Sequence, residues 1–200
     1  GIKNYPVNTD FIVQYVYSNP TPTNWGSDVG LTDPRSVNVT IQHSFIELPE
    51  NNYKPRFEDP RVGYFATQQT DMTSADDPTP YRDMIHRWHL EKKDPSQSRS
   101  VVKEPIVWWI ENTTPNEFRE AIKEGVLAWN KAFEKAGLIN AIDVKVQPDD
   151  ANWDAGDIRY NVLRWTSSPR PPFGGYGPSF VNPRTGQILG ADIMLEYVYF

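Results

Sequence analysis

Residues 105–110 (PIVWWI) are continuously apolar, and an amphipathic helix pattern begins almost immediately after them. A short run with no polar alternation is what a strand covered on both faces requires. In the segment that follows, Thr114 suits an N-cap, Pro115 the first helical position, and Glu117 the closing residue of a capping box. Phe118, Ala121, Ile122, Val126, Trp129, Ala132, Phe133 and Ala136 recur at three- and four-residue steps and form one apolar stripe. Gly137 then ends the helix as a left-handed residue. Such a helix would be roughly 33 Å long, enough to cross a sheet. Ile142–Val146 reads as the next strand, and strand, helix, strand predicts a right-handed crossover with a parallel pair.

The remaining segments fill in around this unit. Residues 157–166 (DIRYNVLRWT) read as a third strand and 169–177 (PRPPFGGYG) as irregular chain. Residues 179–181 read as a short extended piece, 182–186 as a turn and 187–196 as a closing strand. Upstream, residues 10–18 (DFIVQYVYS) are rich in β-branched and aromatic residues. Over 36–48, Val37, Val39, Ile41, His43 and Phe45 alternate with Asn38, Thr40, Gln42 and Ser44, which predicts a half-buried strand paired with 10–18. Residues 62–67 are a further strand candidate, 70–80 a polar loop and 81–90 an extended stretch. The expected fold class is α+β: a β-rich region over 1–100, then a mixed twisted sheet with one long helix over 101–200. The charged, Ser-rich stretch 92–103 is the expected boundary.

Composition narrows the function classes. The 200 residues are 38% hydrophobic and 13% aromatic, which argues for a folded chain with a real core. A net charge of -6 with no basic run beyond Lys92-Lys93 disfavours nucleic acid as a partner. The chain has no Cys, so disulfides, thiolate metal sites and Cys nucleophiles are excluded. No stretch approaches the ~18 apolar residues of a membrane span. Gly1-Ile2 and the apolar 197–200 (YVYF) read as the boundaries of a piece of a longer polypeptide.

Several phrases carry a resemblance. Residues 156–160 (GDIRY), 177–182 (GPSFVN) and 190–195 (GADIML), in that order after the strand and helix, resemble the N-terminal subdomain of metzincin zinc endopeptidases. Residues 59–65 (DPRVGYF) and 87–95 (RWHLEKKDP) are similar to phrases of a narrower family, large exported bacterial metallopeptidases of metzincin type. The resemblance runs from about Ser36 to Phe200. It implies a zincin-like sheet, zinc as cofactor in the complete protein, and export to the periplasm, cell surface or medium. It also implies peptide or protein substrates, and the remainder of a catalytic domain as partner. The family's zinc helix supplies three His and a Glu base through His-Glu-x-x-His-x-x-Gly-x-x-His, and no His-Glu-x-x-His occurs in this sequence. The chain alone is therefore expected to be inactive, with no catalytic residue, and to contribute the upper cleft wall. By position, the edge strand that pairs with substrate is Gly177, Pro178, Ser179, Phe180 and Val181; the same residues also fit an ordinary sheet edge.

Other candidates are weaker. His86 and His89 lie in an extended stretch, where odd spacing puts the rings on opposite faces and argues against a shared zinc site. His43 lies on an apolar strand face and reads as a satisfied polar group. Asp149-Asp150 and Asp76-Asp77 read as solvated turn acids, and Asp71 with the latter pair lacks calcium-loop spacing. Residues 174–177 (GGYG) lack the Lys-Ser/Thr step of a phosphate loop. A non-catalytic alternative is a binding module for glycans or proteins, using Trp25, Trp88, Trp108, Trp109, Trp129, Trp153 and Trp165; most of these fit core packing.

Overall fold

The computed structural model describes residues 1–23, 31, 33–73, 81–169 and 171–199, so Trp25, Asp76 and Asp77 lie outside the described residues. The chain divides into two compact units, Gly1–Glu47 and Leu48–Phe200. Among the described residues strands dominate, and no helix is long and apolar enough to cross a membrane.

In the first unit, β1 (Ile2–Asn4), β2 (Asn8–Ser18) and β3 (Ser36–Ile46) form an antiparallel sheet in the order β1-β2-β3. The expected pairing of the two long strands is present over their whole length, from Asn8 opposite Ile46 to Ser18 opposite Ser36. At its base Asp10 is buried and accepts hydrogen bonds from the side-chain amides of Asn8 and Gln42, at 3.3 and 3.0 Å.

The second unit begins with β4 (Ala66–Thr67), β5 (Met84–Ile85) and β6 (Ser100–Val101). Next come β7 (Ile106–Ile110), the helices α1 (Asn116–Leu127) and α2 (Asn130–Lys135), β8 (Leu138–Ile139), β9 (Ile142–Val146) and β10 (Asn161–Thr166). It closes with β11 (Gly175–Tyr176), β12 (Ser179–Val181), β13 (Ile188–Ala191), β14 (Ile193–Glu196) and a 3-10 turn at Tyr197–Tyr199. The main sheet is mixed and five-stranded, in the order β11-β14-β10-β7-β9. β14, β10, β7 and β9 run parallel, and only β11 is antiparallel. Three shorter pairs, β4 with β5, β6 with β8 and β12 with β13, flank it.

The apolar run of β7 behaves as its composition requires. Ile106, Trp108 and Ile110 are buried against Ile122 of α1, with Ile142 and Val144 of β9 and Leu163 of β10 in the same cluster. On the opposite face Trp109 meets Trp153 and Tyr160 edge-on, at 5.2 and 5.8 Å, and those two rings stack at 3.8 Å. Both faces of β7 are thus covered, one by helix and one by an aromatic loop.

Several expectations change on folding. The helix is interrupted at Ala128–Trp129, and Trp129 is 64% exposed instead of lying on the packed stripe. The cause is Asn130, whose side-chain amide donates to Ile142 O and accepts from Ile142 N, both at 2.9 Å. Turning Asn130 onto β9 rotates its neighbour Trp129 outward. The capping box does not form: no side chain caps the first turn of α1, and Thr114 is buried instead. Arg119 reaches back to the carbonyls of Thr114 and Asn112, at 2.8 and 2.7 Å. Gly137 does end the helical stretch with a positive φ of 88°. Residues 157–160 turn before β10 begins, because the buried Asp157 carboxylate binds Arg159 at 2.6 Å two residues on.

The break between units falls after Glu47, not in the charged stretch 92–103. That stretch is tied into the second unit: Lys103 pairs with Glu91 at 2.9 Å, and the Lys92 ammonium donates to the carbonyls of Gln97 and Ser98. Trp88 meanwhile packs edge-on against Trp108 at 6.4 Å. Replacing Asn130 by Ala leaves the N–H and C=O of Ile142 without their partner at a half-buried edge. We expect a loss of about 1–3 kcal/mol in urea denaturation, and an unchanged midpoint would show that the amide clamp contributes nothing.

Candidate functional site

The main sheet has two edges, and they are treated differently. At β9 half of the outward backbone groups, those of Ile142 and the N–H of Val144, are occupied by side chains. Asn130 takes both groups of Ile142, and the Asp143 carboxylate accepts the N–H of Val144 at 2.9 Å. A strand cannot be added there without displacing them. At β11 the edge is open. Glu196 N donates to Gly174 O at 2.9 Å and Asp192 N to Pro178 O at 3.2 Å, so residues 174, 176 and 178 turn their backbone toward β14. Gly175 and Gly177 therefore turn N–H and C=O outward, and no described residue bonds to them. Pro178 has no N–H to continue the inner ladder, which explains why β11 pairs over only two residues.

The surroundings suit an extended ligand. Phe173 and Tyr176 flank the edge with ring centroids 5.6 Å apart, and Tyr176 is 53% exposed. Gly175 lies so close to the next strand that an added Cβ would sit 3.3 Å from Met194 O, so the approach depends on glycine. At the carboxyl ends of the parallel strands, the Glu196 carboxylate accepts the N–H and hydroxyl of Ser168, at 3.0 and 2.7 Å. Those bonds hold it below the usual carboxylate range. Glu111, at the end of β7, accepts the hydroxyl of Thr113 at 3.0 Å and the N–H of Trp165 at 3.3 Å, and lies 3.6 Å from Arg164. Asp192, between β13 and β14, has its carboxyl pushed up to about 6, chiefly by burial. The Val162 N–H that it accepts and the nearby Arg164 oppose that rise.

The residues expected at the substrate edge divide between two elements. Gly177 and Pro178 follow β11, whereas Ser179, Phe180 and Val181 form β12 and pair antiparallel with β13 across a bulge. The open edge of the main sheet thus lies at Gly175–Tyr176, inside a segment whose Gly and Pro content reads as loop. No local pattern marks it; the ladder to β14 creates it.

The three histidines do not converge. His43 Nε2 lies 3.0 Å from the Tyr15 hydroxyl, His86 Nε2 lies 3.0 Å from Thr67 Oγ1, and His89 meets the Tyr53 ring at 5.5 Å. Among the described residues no three His, Asp or Glu side chains are placed to hold a metal, so the residues described do not fit zinc. Asp149 and Asp150 are exposed turn residues, and Asp71 accepts the N–H and hydroxyl of Thr73 within its own turn.

Residues 1–93 match the family profile described as a domain of unknown function (DUF5117). No curated protein and no solved structure matches the chain. The profile covers the whole first unit and the opening part of the second, stopping short of β7 and the main sheet.

The raised carboxyl of Asp192 sets a pH dependence. Its folded-state pKa of about 6 exceeds the ordinary 3.8, so the folded state holds the proton more tightly and stability falls as pH rises through that window. In Asp192→Asn this fall should shrink by roughly 1–2 kcal/mol, allowing for partial exposure. Urea midpoints at pH 4 and pH 7 measure it; identical pH profiles for the two proteins would refute the assignment.

Proposed function

We propose that this chain contributes the upper wall and edge strand of the peptide-binding cleft of an exported zinc-dependent metalloendopeptidase. One observation carries the reading: the main sheet obstructs one edge with side chains at Ile142 and Val144 and leaves open the antiparallel edge beside its last strand. An extended peptide pairing there would bond to the outward groups of Gly175 and Gly177, with Phe173 and Tyr176 beside it. The order strand, helix, strand, strand, loop, antiparallel edge, strand is also the order that the family resemblance implies. The substrate is then a peptide or protein segment in extended form, and the edge recognises its backbone. Zinc and the general base would come from parts of the complete protein other than the residues described. A glycan- or protein-binding module without catalysis is the second reading; the exposure of Trp129, on the helix surface away from the sheet, favours it.

Two measurements decide between them. The complete protein should bind zinc and hydrolyse an unstructured peptide, with loss of activity on chelation; a complete protein without zinc or hydrolysis would leave only the binding module. Gly177→Pro removes one outward donor and leaves the ladder to β14 in place, because its Cβ meets the flexible Ile193 side chain at 3.3 Å and no closely packed backbone. The KM for peptide should rise about 5- to 10-fold with kcat nearly unchanged, as expected for one lost hydrogen bond. Unaltered KM would remove β11 from the substrate site.

A further inference from the structure

β3 presents a second open edge, of a different kind. The backbone bonds Glu47 N to Val7 O and Asn19 N to Arg35 O show that odd-numbered residues of β3 face β2. Asn38, Thr40, Gln42, Ser44 and Ile46 therefore turn N–H and C=O outward, and no described residue bonds to these backbone groups. The strand is eleven residues long and contains no Lys, Arg, Asp, Glu or Pro. These are the devices by which exposed edges are normally kept from pairing. The same chain does blunt an edge where pairing is unwanted, at β9 with Asn130 and Asp143. The contrast marks β3 as an edge built to be paired.

We propose that β3 pairs antiparallel with β3 of a second copy of this chain, about a twofold axis at Ile41. Centring on Ile41 aligns all eleven residues of both strands, so Thr40 faces Gln42 of the partner strand, Asn38 faces Ser44, and Ser36 faces Ile46. These are the outward-turned residues; the Ser36 N–H already donates to Asp33 O at 3.2 Å, so pairing yields about ten backbone hydrogen bonds, a typical count for a specific interface. The register also keeps the faces in phase. Val37, Val39, Ile41, His43 and Phe45 share one side of β3, and in the pair Ile41 meets its own copy, Val39 meets His43 and Val37 meets Phe45. Phe45 is 64% exposed in the single chain. On this side Tyr15 Oη and His43 Nε2 already lie 3.0 Å from each other, so contact across the seam leaves that pair satisfied. With no charged side chain on β3, nothing repels an identical strand.

Sedimentation of the 200-residue chain should show the mass rising with concentration from 23.0 kDa toward twice that value. Thr40→Pro, which removes an outward donor and spares the ladder to β2, should stay monomeric. Val13→Lys on β2, which alters the apolar side opposite Ile41 but leaves the edge strand uncharged, should still dimerise. Because the chain lacks Cys, Ile41→Cys gives a register test that does not depend on Thr40→Pro folding. Antiparallel residues in a non-hydrogen-bonded pair have Cα atoms about 4.5 Å apart, within disulfide reach. Mild oxidation should convert this variant almost wholly to a covalent dimer, while Gln14→Cys on β2 should stay uncrosslinked. A monomeric wild-type chain overturns the proposal. So does a dimer that survives Thr40→Pro but is lost in Val13→Lys, which would mean stacking through the apolar side, or an Ile41→Cys variant that does not crosslink.

Discussion

Every backbone N–H and C=O removed from water needs a partner, and in this protein that requirement is decided at the sheet edges. The interior ladders are settled by parallel pairing of β9, β7, β10 and β14. Among the strand edges that remain, three are handled differently. Side chains from α2 and from β9 itself close the first, a glycine-rich strand with no side-chain cover forms the second, and an uncharged eleven-residue strand forms the third. Closing an edge with Asn130 displaces Trp129 from the helix stripe, so the cost of protecting β9 is an exposed indole.

The core and the edge are linked through β14. Its Ile193 and Leu195 pack on the cluster around Trp108, while its backbone carries β11. Asp192 and Glu196 bracket the strand, one a half-buried carboxyl whose ionisation is resisted and the other a carboxylate held by Ser168. Any ligand added at Gly175–Gly177 therefore rests on a strand fixed by the core on one side and by hydrogen-bonded acids at both ends. An open edge on a rigid support favours backbone recognition, because little order has to be created on binding.

Much of the architecture was legible in the residues because it follows from short-range rules. The alternation of Val37 to Phe45 specified β3 and its partner, the unbroken apolar run specified β7, and Gly137 marked the end of the helical stretch. The unit boundary was not legible, since residues 92–103 look like a linker yet are held by Lys92 and Lys103 bonds to groups that sequence alone does not bring close. The residues expected at the substrate edge lie on two elements for a similar reason. Ser179–Val181 has the stronger strand composition, but its partner is β13, and the main sheet instead recruits Gly175–Tyr176.

By itself the sequence determined the element types, the parallel crossover and the lack of any thiol chemistry, because periodicity, capping residues and composition act locally. It also determined that β3 carries no charge, a property of eleven adjacent residues. Only the tertiary structure decided which edges are closed, where the helix breaks and which carboxyl is desolvated. Those outcomes depend on pairs such as Asn130 with Ile142 and Asp192 with Val162, twelve and thirty residues apart, that meet only once the sheet has formed.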